Sequence, residues 1–201
     1  MTNVLVESLG FPEFGRPDAG LVLISEWRVE DAAHQRAVID GVVDAWAEAP
    51  LPEAFLSRYC LAGSDGRTIL NVAHWTSAEA HLAFSADPVN QRSLGSAIGS
   101  LITAGPPGRY TFDRVSVLRE GRPRGLSTSP LDGGTEGGVL ARYHHRGEDG
   151  RLAHVLTAHD DDGDGTVLRF RPRRGLLRPV ARDDRGESLP GAARDAVRPR
   201  G

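Results

Sequence analysis

The chain has 201 residues, of which 39% are hydrophobic, enough for one domain with a modest core while leaving little room for a second. Its net charge of −3 comes from 24 Arg and 27 acidic residues, and residues 1–110 hold only seven Arg against thirteen acids, which argues against nucleic-acid binding. The single cysteine, Cys60, excludes an intramolecular disulfide, a cysteine zinc site and an iron–sulfur cluster within one chain.

Residues 1–20 predict a flexible N-terminal arm. They contain Pro12, Gly15, Pro17 and Gly20, which break regular structure and leave room only for a short extended piece at Val4–Val6. This segment lacks a basic start followed by a long apolar run, and no window of the chain approaches the roughly 20 apolar residues of a membrane-spanning helix. We therefore expect a cytoplasmic protein with no membrane segment.

The first strand and helix of the folded domain are predicted between residues 21 and 49. The sequence LVLISEWRV, residues 21–29, is rich in residues that favour strands. Asp31 can cap a helix that runs to about Ala49, where Pro50 and Pro52 stop it. The buried stripe of this helix is predicted to consist of Ile39, Val42, Val43 and Trp46.

A β-hairpin and a second helix follow. Phe55–Ala62 and Arg67–Trp75 predict two strands, and the turn between them, Gly63–Gly66, supplies glycines where a hairpin loop needs positive φ. Thr76–Glu79 matches a capping box in which Thr76 would be the N-cap residue. Residues 88–104 suggest further helix or loop, and the alternation in residues 109–119 predicts a fourth strand.

The predicted order β-α-β-β-α-β, with right-handed crossovers, gives an α+β ferredoxin-like sandwich over residues 21–119. Its helices would lie on one face of a four-stranded sheet, and the other face would be bare. Since a bare apolar face normally finds a partner, we expect a homodimer that packs sheet against sheet.

The C-terminal part predicts less structure. Residues 120–138 have the composition of a linker. Residues 139–171 predict a short β-meander extension, which contains no second copy of the segment Asn71–Trp75. Residues 172–201 have the composition of an Arg-rich disordered tail. Four histidines lie in the meander, but their spacing does not favour a metal site. The acidic run at residues 160–165 resembles the start of a calcium loop, yet position 12 would be Arg171 instead of Glu.

The third predicted strand carries the strongest functional signal. Asn71 and Trp75 share one face of that strand because side chains alternate with a period of two. If this face looks toward the helices, an amide and an indole would line a cavity suited to a planar aromatic ligand with phenolic or carbonyl oxygens. His81 and Tyr59 could reach the same cavity. A plain core role for Trp75 and a surface position for His81 are the alternatives.

The segments RTILNVAHWTSAEAHLAF and LVLISEWRV resemble the antibiotic biosynthesis monooxygenase family, whose members are dimeric α/β barrels of ferredoxin-like subunits. The resemblance covers about residues 21–119. It implies oxidation of an anthrone-like polyketide intermediate by dioxygen to a quinone, without a cofactor and without a metal. The substrate itself would supply the electrons.

The resemblance also implies roles for individual residues. Asn71 would hydrogen-bond the enolate and Trp75 would position the ring, while His81 would take the place of a Tyr proton relay. Arg92 would support a negatively charged intermediate. Tyr59 is predicted to contact the substrate only because it could reach the cavity. The same fold also serves polyketide cyclases, haem-degrading oxygenases and non-catalytic binding modules, so these functions stay as alternatives.

Overall fold

The computed structural model describes residues 5–90, 102–129, 138–161 and 167–180. Within these ranges it contains two helices and ten strands. In chain order the elements are β1 (Val6–Ser8), β2 (Leu21–Arg28), α1 (Ala32–Glu48), β3 (Phe55–Gly63), β4 (Thr68–Trp75), α2 (Ala78–Ala86), β5 (Thr103–Ala104), β6 (Gly108–Val117), β7 (Gly125–Ser129), β8 (Val139–Arg146), β9 (Leu152–His159) and β10 (Phe170–Leu177).

The first helix and the hairpin lie where the sequence predicts them, because local side chains fix their ends. The Asp31 carboxylate caps α1 by accepting hydrogen bonds from the backbone N–H groups of Ala33 and His34. In the hairpin turn, the Asp65 carboxylate accepts from the backbone of Arg67 and Thr68. The turn also places Gly66 at a φ of 68°, which glycine adopts without steric cost.

The second helix begins one residue later than the predicted capping box requires. The N-cap residue is Ser77, whose hydroxyl accepts from the backbone N–H of Ala80 at 3.2 Å. Thr76 is therefore the residue before the cap. Its backbone N–H instead donates to the Ala54 carbonyl, which ties the chain leaving β4 to the segment before β3.

The sheet is a closed antiparallel barrel of eight strands and not the open sandwich that the sequence predicts. Its order is β10-β3-β4-β2-β6-β8-β9-β7, and the pair Phe170–Leu126 joins β7 back to β10. The elements β2, α1, β3, β4, α2 and β6 do occur in the predicted order. The barrel interior is filled by apolar side chains from both halves of the chain, among them Val22, Leu61, Leu70, Leu126, Leu156 and Phe170.

The two halves of the barrel have the same strand order. In the first half β3, β4, β2 and β6 are neighbours in that order, and in the second half β8, β9, β7 and β10 repeat it. The halves join through equivalent pairs, since β6 pairs with β8 and β10 pairs with β3. No helix accompanies the second half within the described residues.

This arrangement corrects the predictions for the C-terminal part. The linker predicted at residues 120–138 contains β7, and the predicted β-meander extension forms the second wall of the barrel. The tail predicted from residue 172 contains most of β10, which pairs with β3 along its length. Composition misled here because long-range pairing stabilises strands that have weak local signals. Residues 181–201 lie outside the described ranges.

The N-terminal arm also packs on the barrel. Its strand β1 pairs with β10, and Phe14 is buried in the barrel core. The guanidinium of Arg16 donates to the backbone carbonyl of Arg178 at 2.8 Å. Residues 5–20 are therefore anchored to the barrel, whereas the sequence predicts a flexible arm.

The sheet face that we expected a second copy to cover is covered by the same chain. Tyr59 and Val72, on β3 and β4, lie in one buried cluster with Leu140 and Ala158 of the second half. The predicted homodimer through this face is therefore wrong, because the second half occupies the place of the partner.

No helix in the described ranges is long and apolar enough to cross a membrane.

Candidate functional site

A cavity of about 210 Å³ lies on the outer face of the first half, between the sheet and the two helices. A single water needs only about 10–15 Å³ by this kind of measure, so the cavity has room for a larger guest. Its lining comes from β2, β3, β4, both helices and the segment before β6, and consists of Leu23, Ser25, Trp27, Trp46, Arg58, Asn71, Ala73, Trp75, His81, Gly105 and Pro107.

The strand register brings Asn71 and Trp75 to this cavity together. Asn71 lies opposite Ser25 on β2 and opposite Cys60 on β3, and Trp75 lies opposite Leu21. Both side chains are on the face that α1 and α2 cover, as their four-residue spacing predicts. Asn71 is 4% exposed and Trp75 is fully buried, so the polar atoms of both depend on protein or ligand partners.

Two neighbouring donors fix the orientation of the Asn71 amide. Its Oδ1 accepts hydrogen bonds from Arg58 Nη2 and from Cys60 Sγ, each at 3.2 Å. Burial raises the pKa of the Cys60 thiol, which keeps the thiol protonated and able to donate. Asn71 Nδ2 has no hydrogen-bond partner among the described residues. The free polar group of Asn71 is therefore an N–H donor.

Trp75 has both a packing role and an unused polar group. Its ring packs against Phe55 at 5.4 Å and Phe84 at 5.1 Å between centroids, and it belongs to the buried cluster beneath α2. Its Nε1–H, however, has no hydrogen-bond partner in the part of the chain that the structure describes. Trp75 is therefore a packed core residue and at the same time part of the cavity wall.

Arg58 lines the cavity but is not among the site residues predicted from the sequence. Its guanidinium lies over the rings of Trp46 and Trp27, with Cζ at 4.5 and 5.3 Å from the two centroids, distances at which cation–π attraction operates. Burial lowers the pKa of Arg58, and the nearby Cys60 opposes this shift, but a guanidinium stays protonated at neutral pH. The hairpin register could have identified it, because Arg58 is two residues from the partner of Asn71.

His81 lies at the mouth of the cavity, with its ring edge-on to Trp75 at 5.2 Å. Its Nδ1 is 3.0 Å from Arg109 Nη1. Since arginine only donates, Nδ1 must accept, and the neutral ring then carries its proton on Nε2. Burial, and secondly the charge of Arg109, lower the pKa of His81. In this arrangement His81 is a neutral hydrogen-bond donor.

Two predicted substrate contacts are not part of this cavity as the structure describes it. Tyr59 lies on the opposite face of β3, in the barrel interior with Leu61 and Val72, because the odd-numbered residues after the register shift at Phe55–Ser57 point inward. The prediction that Tyr59 contacts the substrate in this cavity is therefore wrong. Arg92 lies outside the described residues. Within those residues, no three His, Cys, Asp or Glu side chains come together as a metal site.

Several solved structures match this chain. An anthrone oxidase-like protein matches with a TM-score of 0.52 and 14% identity, over 83% of this chain and 94% of its own. The ActVA-Orf6 monooxygenase of Streptomyces coelicolor, solved with nanaomycin D, is 31% identical over 54% of this chain and all of its own, with a TM-score of 0.41. No protein-family profile and no curated protein matches the chain. The comparisons establish that this barrel has the overall fold of the anthrone oxidase-like protein.

Proposed function

We propose that this protein is a cofactor-independent monooxygenase that uses dioxygen to oxidise an anthrone-like polycyclic aromatic compound to a quinone. The observation that carries the proposal is a cavity lined by Asn71 and Trp75, each of which has a buried N–H group with no hydrogen-bond partner among the described residues. The indole offers a flat wall to an aromatic ring, and the unpaired donors suit the oxygen of an enolate.

The proposed reaction needs no external reductant. Loss of a proton from the methylene carbon across the central ring from the carbonyl gives an enolate, which passes one electron to dioxygen. The resulting carbon radical combines with the superoxide and takes up a proton. The resulting hydroperoxide loses water to form the new carbonyl. One oxygen atom therefore enters the quinone and the other leaves as water, while the substrate is oxidised by four electrons.

The protein's part in this reaction would be to position the ring and stabilise negative charge. Asn71 Nδ2, Trp75 Nε1 and the Arg58 guanidinium are donors around one space, and their preorganisation favours an oxyanion over a neutral ketone. The proton-relay role of His81 stays a proposal, and it requires that Nδ1 be free to accept a proton. His81 can accept a proton on Nδ1 only after Arg109 releases that nitrogen.

Oxygen uptake with anthrone tests the proposal. We expect Asn71→Ala to slow uptake by about 100-fold, the usual effect of removing one oxyanion donor. Trp75→Phe keeps most of the ring and removes the indole N–H, so we expect about tenfold slower uptake. Asn90→Ala is the matched control, because Asn90 donates to the Phe84 carbonyl and does not line the cavity. Unchanged rates in both cavity variants would remove the assignment.

A non-catalytic binding module is the second candidate, and one feature of the cavity favours it. The described lining residues include no carboxylate, and the accepting nitrogen of His81 is occupied by Arg109. Such a cavity can hold an aromatic ligand without a free base to start the reaction. Saturable binding of a hydroxyanthraquinone together with no oxygen uptake from anthrone would favour this candidate.

A further inference from the structure

We infer that the cavity takes its aromatic ligand as an anion, with the ionised oxygen held by Arg58. This inference rests on the proposed function and narrows its substrate class. The ligand would be a planar fused-ring compound with an acidic hydroxyl or an enolisable carbonyl at one edge. A neutral aromatic hydrocarbon would not satisfy the site.

The first argument is that Arg58 has no counterion within the described residues. Its interactions there are the amide oxygen of Asn71, the Cys60 thiol and the faces of two indole rings. Its Nε is buried and has no hydrogen-bond partner. A buried cation without a paired anion is costly. An anionic ligand would supply the missing charge.

Other arginines of the barrel show what is absent at Arg58. Arg174 contacts carboxylates of Glu7 and Asp44 at 2.7 and 2.9 Å. Arg109, which is 20% exposed, pairs with Glu148 at 3.0 Å. Even Arg16, buried against the barrel end, pairs with Asp18 at 2.8 Å. Each of these three arginines has a carboxylate partner, whereas the partners of Arg58 among the described residues are neutral groups.

The second argument is that the neighbouring free groups are donors as well. Asn71 and Trp75 line the same cavity as Arg58, and their Nδ2 and Nε1 atoms are buried with no hydrogen-bond partner among the described residues. With Arg58 Nε they make three donor atoms that lack an acceptor there, and these complement an oxygen that carries negative charge and accepts several hydrogen bonds at once. Trp27 and Trp46 hold the guanidinium between their rings and so limit its movement.

The chemical consequence concerns the acidity of the ligand. A phenolic hydroxyl has a pKa near 10 in water, and an adjacent cation lowers such a pKa by about 1–3 units. The ligand would lose its proton to solvent on binding, leaving the phenolate or enolate oxygen on Arg58. The same contact would assist formation of the reactive enolate in a cavity whose described lining contains no free base.

Binding of 2-hydroxyanthraquinone tests the inference, because its visible spectrum changes on ionisation and it is already a quinone. We expect the protein to lower the apparent pKa of the bound hydroxyl by about one unit or more. Arg58→Gln should abolish this shift and weaken phenolate binding by about tenfold or more. It should leave binding of unsubstituted anthraquinone unchanged. Arg36→Gln, at an exposed position on α1, is the charge-matched control.

The wild-type protein alone provides a second measurement if Arg58→Gln does not fold. Its affinity for 2-hydroxyanthraquinone should rise as the pH passes the pKa of the ligand, whereas its affinity for anthraquinone should not change with that ionisation. Arg58→Lys, which keeps the charge, should retain part of the spectral shift.

The inference is overturned if the protein binds the ionised and neutral ligands equally, or if Arg58→Gln shifts the spectrum as the wild type does. Either result with normal anthrone oxidation would leave the proposed function standing. A phenolate preference that depends on Arg58 without anthrone oxidation would support the anion site and remove the oxygenase.

Discussion

The two halves of the barrel share a strand order but differ at the position of the site. Trp75 pairs with Leu21 at the start of β2, and the equivalent residue of the second half, His159, pairs with Gly125 at the start of β7. By the same register, Val155 stands where Asn71 stands in the first half. The second half therefore has neither the amide nor the indole, and no helix covers it within the described residues.

This difference separates what the barrel needs from what the cavity needs. Both halves contribute apolar side chains to the barrel interior, so both are required for stability. Among the described residues, only the first half combines the Asn71 and Trp75 pair on the outer face with helices that enclose it. The same strand order is thus compatible with a half that lines the cavity and with a half that only contributes to the barrel core.

The largest expected effect comes from removing the second half. A fragment of residues 1–120 would expose the interior side chains of β3 and β4, including Tyr59, Leu61, Leu70 and Val72. We expect this fragment to have no folded monomer, because its uncovered sheet face is apolar. Sedimentation at low concentration with near-ultraviolet circular dichroism measures this. A monomer with the aromatic signal of the full chain would contradict the shared core.

The next effect is at the seam between the halves. Phe170 is fully buried and pairs with Leu126 of β7. We expect Phe170→Ala to lower the free energy of unfolding by about 3–5 kcal/mol, as large-to-small changes in a core do. Urea unfolding measures the loss. Leu82→Ala, at a position that is 56% exposed, should change it by about 0.5 kcal/mol or less. Equal losses would argue against a shared core.

Low pH should lower the free energy of unfolding, because His74 and His145 are fully buried. Burial lowers the pKa of His74 and of His145 to about 3, with smaller contributions from Arg16 and His154 respectively. Since an unfolded histidine has a pKa near 6.5, the unfolded chain takes up these protons first. The stability is full above pH 6.5 and falls as the pH drops toward 3. Each histidine should cost about 2 kcal/mol at pH 5.

Urea unfolding at pH 7.5 and pH 5 tests this assignment. His74→Gln should reduce the difference between the two pH values by about 2 kcal/mol relative to the wild type. Its stability at pH 7.5 also falls, because His74 Nδ1 is hydrogen-bonded to Ser57 at 2.8 Å, but that loss is common to both pH values. Parallel pH curves for the two proteins would show that His74 does not titrate on unfolding.

The smallest expected effect distinguishes the two faces of β3. Tyr59 points into the barrel, with Ser8 near its hydroxyl, whereas Arg58 beside it lines the cavity. We expect Tyr59→Phe to lower the free energy of unfolding by about 0.5–1.5 kcal/mol. It should leave the affinity for 2-hydroxyanthraquinone unchanged, which fluorescence titration measures. A loss of affinity would place Tyr59 in the site.

Features set by neighbouring residues could be predicted from the sequence. The cap at Asp31, the hairpin turn and the shared face of Asn71 and Trp75 all depend on contacts within a few residues or on the strand period. Their prediction needs no knowledge of the rest of the chain. The cap of α2 was displaced by one residue, to Ser77, which shows the usual limit of such local signals.

Features set by distant residues could not be predicted in this way. β7 consists of Gly125–Ser129, a sequence typical of a linker, and it forms a strand because β9 and β10 pair with it. The position of Tyr59 depends on the hairpin register, which places even-numbered residues of β3 on the Asn71 side. The contact between His81 and Arg109 requires β6 to lie beside β2.

The seam between β7 and β10 has a consequence for slow opening of the fold. Those two strands meet at a single residue pair, whereas β4 pairs with β2 over its whole length. Amide hydrogen exchange should therefore be faster along β7 than along β4, which is paired on both sides, since local opening follows the less supported backbone. Transient separation of β7 from β10 would then open the barrel and leave the wall of the cavity intact.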